Sequence, residues 1–191
     1  LFDISVPVVV IGAGACGCSS ALAANERGAD VLMIERDDPP TGSTSLSGGQ
    51  IPAAGTKLQI AAGITDTPED FAEEILEKAK HQTDPDMALA ISRGSTATVD
   101  WLVDTYSAPL EVLTDFFYPG HKKHRMHGTP NRDGAELLTC LLDAVTREGI
   151  DMLTAAVATD LYADEDGRVS GVRIQRPDGS TEDVGCGSLI L

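Results

Sequence analysis

The sequence VPVVVIGAGACG, residues 6–17, joins a β-branched apolar run directly to three spaced glycines. A run such as residues 6–11 is typical of a strand that is buried on both faces. The alanine-rich residues 19–27 predict a helix, and Gly28 would close it because glycine tolerates the left-handed conformation. Residues 29–34 predict a second strand. Together they predict a βαβ unit, which needs about 30 residues.

Each glycine of the turn has a physical role. Gly12 allows a tight turn, Gly14 lets the backbone approach a pyrophosphate, and Gly17 lets the helix lie close to the strand. The helix N-terminus would present free N–H groups and a positive dipole end to phosphates. Glu35 ends the second strand, where a carboxylate can accept hydrogen bonds from ribose hydroxyls and would repel a 2′-phosphate. The spacing predicts a dinucleotide site that disfavours NADP, with a glycine turn in another kind of α/β protein as the alternative.

A second glycine-rich loop bears on which dinucleotide is bound. Residues 37–55 are rich in Pro, Gly, Ser and Thr, and long loops inside compact domains are usually functional. Their centre, TGSTSLSGG at residues 41–49, can direct backbone N–H groups and hydroxyls along a pyrophosphate, a ribityl chain and a flavin edge. A plain NAD-binding domain would continue instead into another helix and parallel strand. The loop therefore favours FAD.

The rest of the chain predicts helices followed by a β-meander. A helical insertion is expected over about residues 58–132, and a further helix over residues 133–147. The β-meander is expected over about residues 151–186, because turn dipeptides separate its runs. Residues 188–191 resemble a strand cut short. The expected strands are residues 151–163, 169–175 and 181–184.

Composition excludes some partners. Thirty acidic against fourteen basic side chains give a net charge of −16, which argues against nucleic acid and anionic membrane surfaces. The four cysteines do not suggest a disulfide scaffold in a chain of this length, so a reducing, cytoplasmic setting is expected. Cys16 and Cys18 are too close together for a zinc pair and are expected to be small buried residues at a helix start.

Five segments together resemble the flavoprotein family of soluble fumarate reductases, which includes succinate dehydrogenase flavoprotein subunits, 3-ketosteroid dehydrogenases and urocanate reductases. The resemblance covers nearly the whole chain and is most specific over residues 8–49. It implies an α/β, Rossmann-like FAD-binding domain that is incomplete, with the cap and C-terminal segments outside residues 1–191. The segments are VVVIGAGACG, VLMIER, TGSTSLSGG, DGAELLTCLLDAVTREGID and DGRVSGVRI, which begin at residues 8, 31, 41, 133 and 166.

The resemblance also implies a reaction and a set of cofactor contacts. The enzyme would reduce or form a C=C bond next to a carbonyl or carboxylate, with hydride exchanged at flavin N5. Its acid–base arginine would lie outside this chain, so the chain alone is expected to be inactive and no catalytic residue is assigned. FAD would be non-covalent, because no histidine lies between Thr41 and Gly49. The implied cofactor contacts are Gly12, Gly14, Cys16, Gly17, Glu35, Arg36, Ser43, Thr44, Ser47, Gly48, Gly49 and Ala158.

Residues 119–132 form a basic segment with three histidines and no acidic residue. A metal site there is disfavoured by the neighbouring cations, so no metal is predicted. Relatives have a similar His-Arg pair, which makes His124 and Arg125 candidates for a positive wall that binds an anionic small-molecule substrate. A solvated surface loop is the equal alternative.

Two other functions stay open. One is a non-catalytic dinucleotide-binding module, and the other is a different FAD oxidase or hydroxylase that shares the first βαβ unit. The hydroxyl-rich second loop speaks against the first of these. The electron donor or acceptor is not indicated by the sequence.

Overall fold

The computed structural model describes Phe2 and residues 4–191. They fall into two compact units, one formed by the chain up to Leu46 together with Leu138–Leu191, the other by Ser47–Leu137. In chain order the elements are β1 (Ile4–Ile11), α1 (Ala15–Asn25), β2 (Val31–Ile34), β3 (Ile51–Pro52), α2 (Lys57–Ala61), α3 (Pro68–Lys78), α4 (Pro85–Tyr106), β4 (Glu111–Val112), β5 (Met126–Gly128), α5 (Gly134–Arg147), β6 (Asp151–Leu153), β7 (Val157–Ala163), β8 (Val169–Gln175) and β9 (Thr181–Ile190).

The first unit is built on a six-stranded mixed sheet with the order β6-β2-β1-β9-β8-β7. The strands β6, β2, β1 and β9 are parallel, whereas β7, β8 and β9 form an antiparallel meander. Val9 and Ile34 from the parallel part join Val172 and Ile174 of β8 in one buried cluster. The α/β class with a parallel sheet and a β-meander is therefore as the sequence predicts.

The first helix begins earlier than the sequence predicts. The sequence predicts a helix over residues 19–27, but α1 starts at Ala15 with Gly14 at the N-cap position. The glycine turn itself forms the start of the helix, so the motif and the helix overlap. Gly28 has φ +81°, as expected of the residue that closes a helix.

Two predictions about the strands are wrong. Residues 151–163 are not one strand, because Ala155 adopts a left-handed φ of +49° and separates β6 from β7. The two pieces then pair in opposite senses, β6 parallel to β2 and β7 antiparallel to β8. The last strand is also longer than expected, since β9 runs without a break to Ile190 and pairs with β1 from Val184 onward.

The second unit combines helices with a small sheet. Thr67 caps α3 by accepting a hydrogen bond from the Asp70 N–H, and Asp84 caps α4 in the same way. The last long helix of this unit ends at Tyr106, so the predicted helical insertion to residue 132 is wrong in its second half. Residues 107–132 contain β4 and β5, which pair antiparallel in a sheet of order β3-β5-β4.

Among the described helices, none has both the length and the apolar character required to cross a bilayer.

Candidate dinucleotide site

The first unit contains a cavity of about 500 Å³ beyond the carboxyl ends of β1 and β2. This is the edge of a parallel sheet at which ligands of α/β proteins bind. All of its lining residues belong to the first unit. They are Ile11, Gly12, Gly14, Ala15, Cys16, Ile34, Glu35, Arg36, Asp37, Thr41, Gly42, Ser43, Thr44, Ala156, Val157 and Ala158.

The glycine turn that lines the cavity is held by close backbone packing. Gly12 has φ +96°, and its N–H donates a 2.7 Å hydrogen bond to the Ile34 carbonyl. A Cβ atom on Gly17 would lie 1.8 Å from the Gly12 carbonyl oxygen. Because no such contact is sterically possible, Gly17 is required for α1 to approach β1 as closely as it does.

The loop after β2 returns to the N-terminus of α1. The Thr44 hydroxyl accepts a 3.0 Å hydrogen bond from the Ala15 N–H. A Cβ atom on Gly14 would lie 3.2 Å from the same hydroxyl oxygen, so Gly14 is the position that leaves room for this loop. The first turn of a helix has N–H groups without intrahelical partners, and they make it an anion-binding site.

Glu35, which directly follows β2, is buried next to the glycine turn. Its Oε2 accepts a 2.6 Å hydrogen bond from the Ala13 N–H and its Oε1 a 2.8 Å hydrogen bond from the Asp37 N–H. The Glu35 N–H also donates a hydrogen bond to the Leu153 carbonyl, and the Glu35 carbonyl accepts one from the Ala156 N–H. The carboxylate is thus held rigidly where the turn, β2 and the start of β7 meet.

The two neighbouring cysteines differ in environment. Cys18 is buried, and burial raises the pKa of its thiol to about 12. Cys16 is exposed and lines the cavity, so the prediction that both are buried is wrong for Cys16. Residues two positions apart point to different sides of a helix, and the early start of α1 places Cys16 in its first turn.

The structure brings eight of the twelve predicted cofactor contacts to one cavity. Gly17 does not line the cavity but packs against Gly12, which does. Several other lining residues carry no signal in the sequence, because Asp37, Thr41 and Gly42 lie in an irregular loop and Val157 contributes through strand position alone. The eight are Gly12, Gly14, Cys16, Glu35, Arg36, Ser43, Thr44 and Ala158.

The remaining three predicted contacts lie in the second unit. The Ser47 carbonyl accepts a 2.9 Å hydrogen bond from the Gly134 N–H, and the Ser47 hydroxyl accepts one from the Gly49 N–H at 3.1 Å. Gly49 has φ +59°, and a Cβ atom there would lie 3.0 Å from the Asp133 carbonyl oxygen. The Ser47–Gly49 segment is therefore a tightly packed turn, and its role toward a cofactor stays a prediction.

Arg125 is not the free cation that the sequence suggested. Its side chain is fully buried, and its Nε and Nη2 donate to the two carboxylate oxygens of Asp66 at 2.6 and 2.8 Å. Its Nη1 donates to Glu74. The acids that neutralise it are distant in sequence, which is why residues 119–132 look like an unopposed basic segment. A wall that binds anionic substrate through Arg125, or a solvated Arg125, is incompatible with this packing.

Three further side chains of the basic segment are also partnered or half-buried. Lys122 pairs with Glu77 at 2.7 Å and Arg132 with Asp115 at 2.6 Å. His124 is half-buried, with Nδ1 3.1 Å from the Phe116 carbonyl. The segment is not helical, and the described residues contain no group of three or more His, Cys, Asp and Glu arranged to hold a metal ion.

His127 is fully buried beside this ion network. Its Nδ1 faces the carbonyls of Arg125 at 2.8 Å and Ile51 at 3.3 Å, so Nδ1 carries the proton. The Thr56 hydroxyl then donates to Nε2 at 2.8 Å. Burial lowers the pKa of His127, and the imidazole is neutral.

A strand, a glycine-rich turn, a helix and a second strand that ends in a buried carboxylate together define a dinucleotide-binding α/β domain. The comparisons with known proteins assign it more narrowly. Residues 7–185 match the FAD binding domain family, and the chain belongs to that family. Its cofactor is FAD.

The relatives described next are named as reductases. The fumarate reductase (cytochrome) of Shewanella frigidimarina is 31% identical over 175 residues, which cover 90% of this chain and 30% of the relative. The urocanate reductase of Eggerthella lenta is 31% identical over 190 residues, 97% of this chain and 31% of the relative. The structure of the open conformation of a flavocytochrome c3 fumarate reductase superposes with a TM-score of 0.89 at 28% identity, covering 100% of this chain and 34% of that one. The chain thus spans about a third of the length of the proteins it matches.

Proposed function

We propose that this chain supplies the cofactor-binding part of an FAD-dependent oxidoreductase that reduces or forms a C=C bond next to a carbonyl or carboxylate. The cavity between the glycine turn and Glu35 carries the proposal for the cofactor. The relatives carry the proposal for the reaction, since fumarate and urocanate are both unsaturated carboxylates. The substrate would be a small molecule, and an anionic one fits the relatives.

The residues of the cavity fit the ADP half of FAD. A carboxylate has about four lone-pair sites, and hydrogen bonds from Ala13 and Asp37 use two of those of Glu35. Two remain for ribose hydroxyls. The N-terminus of α1 and the hydroxyls of Ser43 and Thr44 would hold the pyrophosphate, and Ala158 would lie against the adenine through its backbone.

The flavin half would be held by the second glycine-rich loop. Ser47, Gly48 and Gly49 would lie along the ribityl chain and the isoalloxazine, without a covalent bond because residues 41–49 contain no histidine. When bound, FAD supplies hydride exchange at its N5 atom. We infer that the proton-transferring group is not among the residues of this chain, so we expect no turnover by this chain alone. A cytoplasmic location remains a prediction.

The test is a titration of the purified chain with FAD, followed by flavin fluorescence and the visible absorption spectrum. We expect saturable binding and a flavin that is released on denaturation. Glu35→Ala should weaken binding at least tenfold, because a hydrogen bond to a charged group contributes about 1.5–3 kcal/mol and each 1.4 kcal/mol is a factor of ten.

Glu165→Ala is the matched control, because Glu165 is an exposed carboxylate in the turn between β7 and β8. It should bind FAD like the unmodified chain. Far-UV circular dichroism checks that both variants are folded. If neither this chain nor a longer form of the protein binds FAD, the proposed function is wrong.

A further inference from the structure

The side chain of Gln50, which directly follows the second glycine-rich loop, packs on the small sheet of the second unit. It is half-buried. In the antiparallel register of β3 and β5 Ile51 lies opposite His127, and continuing this register by one residue brings Gln50 opposite Gly128. A Cβ atom on Gly128 would lie 3.7 Å from Gln50 Cγ and 3.3 Å from a methyl group of Leu113. Glycine at residue 128 therefore leaves room on the sheet for the Gln50 stem.

The amide at the end of the Gln50 side chain adjoins Gly48. A Cβ atom on Gly48 would lie 3.7 Å from Gln50 Nε2 and 3.9 Å from the amide carbon. Gly48 is exposed, so the amide lies beside an open stretch of the glycine-rich loop. This stretch is the one that we propose to lie along the flavin.

The Gln50 amide has unused hydrogen-bonding capacity. None of the described residues forms a hydrogen bond with this amide. Its nitrogen and oxygen are nevertheless open to solvent, because His121 Nδ1 is the only polar side-chain atom among the described residues that is both closed off and unpaired. A primary amide has two N–H donors and one carbonyl acceptor. A ligand that lies along the loop can therefore reach a donor that the fold does not use.

Building on the proposed function, we propose that the Gln50 amide donates a hydrogen bond to a carbonyl oxygen of the isoalloxazine ring and so raises the reduction potential of the bound flavin. Hydrogen bonds to the ring are one of the means by which a protein tunes flavin electronics. Reduction increases the negative charge on the ring, and a hydrogen bond to a charged group is stronger than one to a neutral group. The contact is therefore stronger with the reduced flavin and favours reduction.

The test is the reduction potential of the protein loaded with FAD, measured from its visible spectrum in equilibrium with a redox dye. Gln50→Met keeps the length of the side chain and its contact with Gly128, but it removes the N–H donors. The preference for reduced over oxidised flavin should fall about fivefold, a decrease of about 20 mV for a two-electron couple. The affinity for ADP should not change, because Gln50 does not line the dinucleotide cavity.

Two further variants separate the position of the side chain from its packing. Gln50→Glu puts a carboxylate beside the ring, and the repulsion between like charges should lower the reduction potential below that of Gln50→Met. Gln82→Met is the matched control, because Gln82 is exposed in the loop between α3 and α4. Its reduction potential should equal that of the unmodified protein. Far-UV circular dichroism checks the folding of each variant, and Gln50→Glu decides the question if Gln50→Met does not fold.

The outcomes distinguish this inference from the proposed function. If neither this chain nor a longer form of the protein binds FAD, both are wrong. If FAD binds and both Gln50 variants keep the reduction potential of the unmodified protein, only the assignment of Gln50 is wrong. A reduction potential that rises in Gln50→Met would show that the amide favours the oxidised flavin, and it would overturn the assignment as well.

Discussion

At the scale of single residues, Gly17 has the sharpest steric requirement of the turn. A Cβ atom at this position would lie 1.8 Å from the Gly12 carbonyl oxygen, which is backbone and cannot rotate away. We expect Gly17→Ala to lower the free energy of unfolding by about 1–3 kcal/mol, the range of overpacked sites. Urea denaturation followed by circular dichroism measures the change.

Gly94 is the matched control for this substitution. It lies within α4, and a Cβ atom there would meet no atom within 4 Å beyond the backbone of its own helix. Alanine loses less conformational entropy in a helix than glycine does, so Gly94→Ala should raise the free energy of unfolding by about 0.5–1 kcal/mol. Effects of the same sign in the two variants would contradict the steric account of Gly17.

Cys16 offers a chemical readout of cofactor binding. It is an exposed thiol that lines the dinucleotide cavity, whereas burial raises the pKa of the Cys18 and Cys140 thiols. We expect N-ethylmaleimide to label Cys16 first and FAD to slow that labelling at least tenfold, because tightly held ligands exclude the reagent. Mass spectrometry of the peptides measures each site.

Cys140 is the internal control for the labelling experiment, since it is half-buried and does not line the cavity. Its slower labelling should not depend on FAD. Equal protection of both thiols would point to a general tightening of the fold, and no protection of Cys16 would contradict binding next to the glycine turn.

At the scale of elements, the buried ion network joins α3 to the segment before β5. Asp66 accepts two hydrogen bonds from Arg125, and neither side chain is exposed. Asp66→Asn leaves the guanidinium partly unpaired, and breaking a buried pair costs about 3–5 kcal/mol. We expect a loss of that size in the free energy of unfolding, measured with urea.

Asp115→Asn tests the same chemistry at the surface. Asp115 pairs with Arg132 at 2.6 Å, but its side chain is 61% exposed. Water screens such pairs, so the stability should change little. A surface effect as large as the buried one would refute the argument from burial.

The pH dependence of stability should report His127, which holds β5 against β3. Burial places its pKa in the folded protein below the ordinary value of 6.5. Below that value the unfolded chain binds a proton that the folded chain does not bind. The free energy of unfolding should therefore fall as the pH decreases from about 6.5, by up to about 1.4 kcal/mol per pH unit for this group.

His127→Asn should make this acid slope shallower, because asparagine keeps an N–H donor and cannot be protonated. His121, whose pKa is also lowered, accounts for part of the slope that remains. His81→Asn is the control, since His81 is exposed with a φ of +53° that asparagine tolerates. Urea titrations between pH 5 and 8 give the slopes, and an unchanged slope in His127→Asn would contradict a neutral buried imidazole.

At the scale of the whole molecule, the excess of acidic residues acts against compactness. Raising the ionic strength from 0.01 to 0.15 M shortens the Debye length from about 30 to about 8 Å. With a net charge of −16, we expect salt to raise the midpoint of urea unfolding because self-repulsion is screened.

The same comparison at pH 4.5, close to the isoelectric point of about 4.4, is the control. The salt effect should shrink there because carboxylates take up protons. A midpoint that falls with salt at pH 7 would show that the surface ion pairs outweigh the net repulsion.

The sequence by itself determined the β1–α1–β2 unit, its glycine turn, the position of Glu35 and the FAD assignment. Hydrophobic period and turn chemistry are local properties, and this unit consists of contacts between residues that are close in sequence. The starts of α3 and α4 are local features as well, because Thr67 and Asp84 are caps that act on the next few residues.

Only the tertiary structure decided how distant segments pair. Asp66 and Glu74 are 59 and 51 residues from Arg125, so the local pattern showed a free cation where the fold has a neutralised one. The break at Ala155 likewise follows from the different partners of β6 and β7. Ala158 lines the dinucleotide cavity for a similar reason, because the pairing of β7 with β8 places it there. A pattern of a few residues cannot encode which remote charge or strand edge will face it, because that depends on how the whole chain is packed.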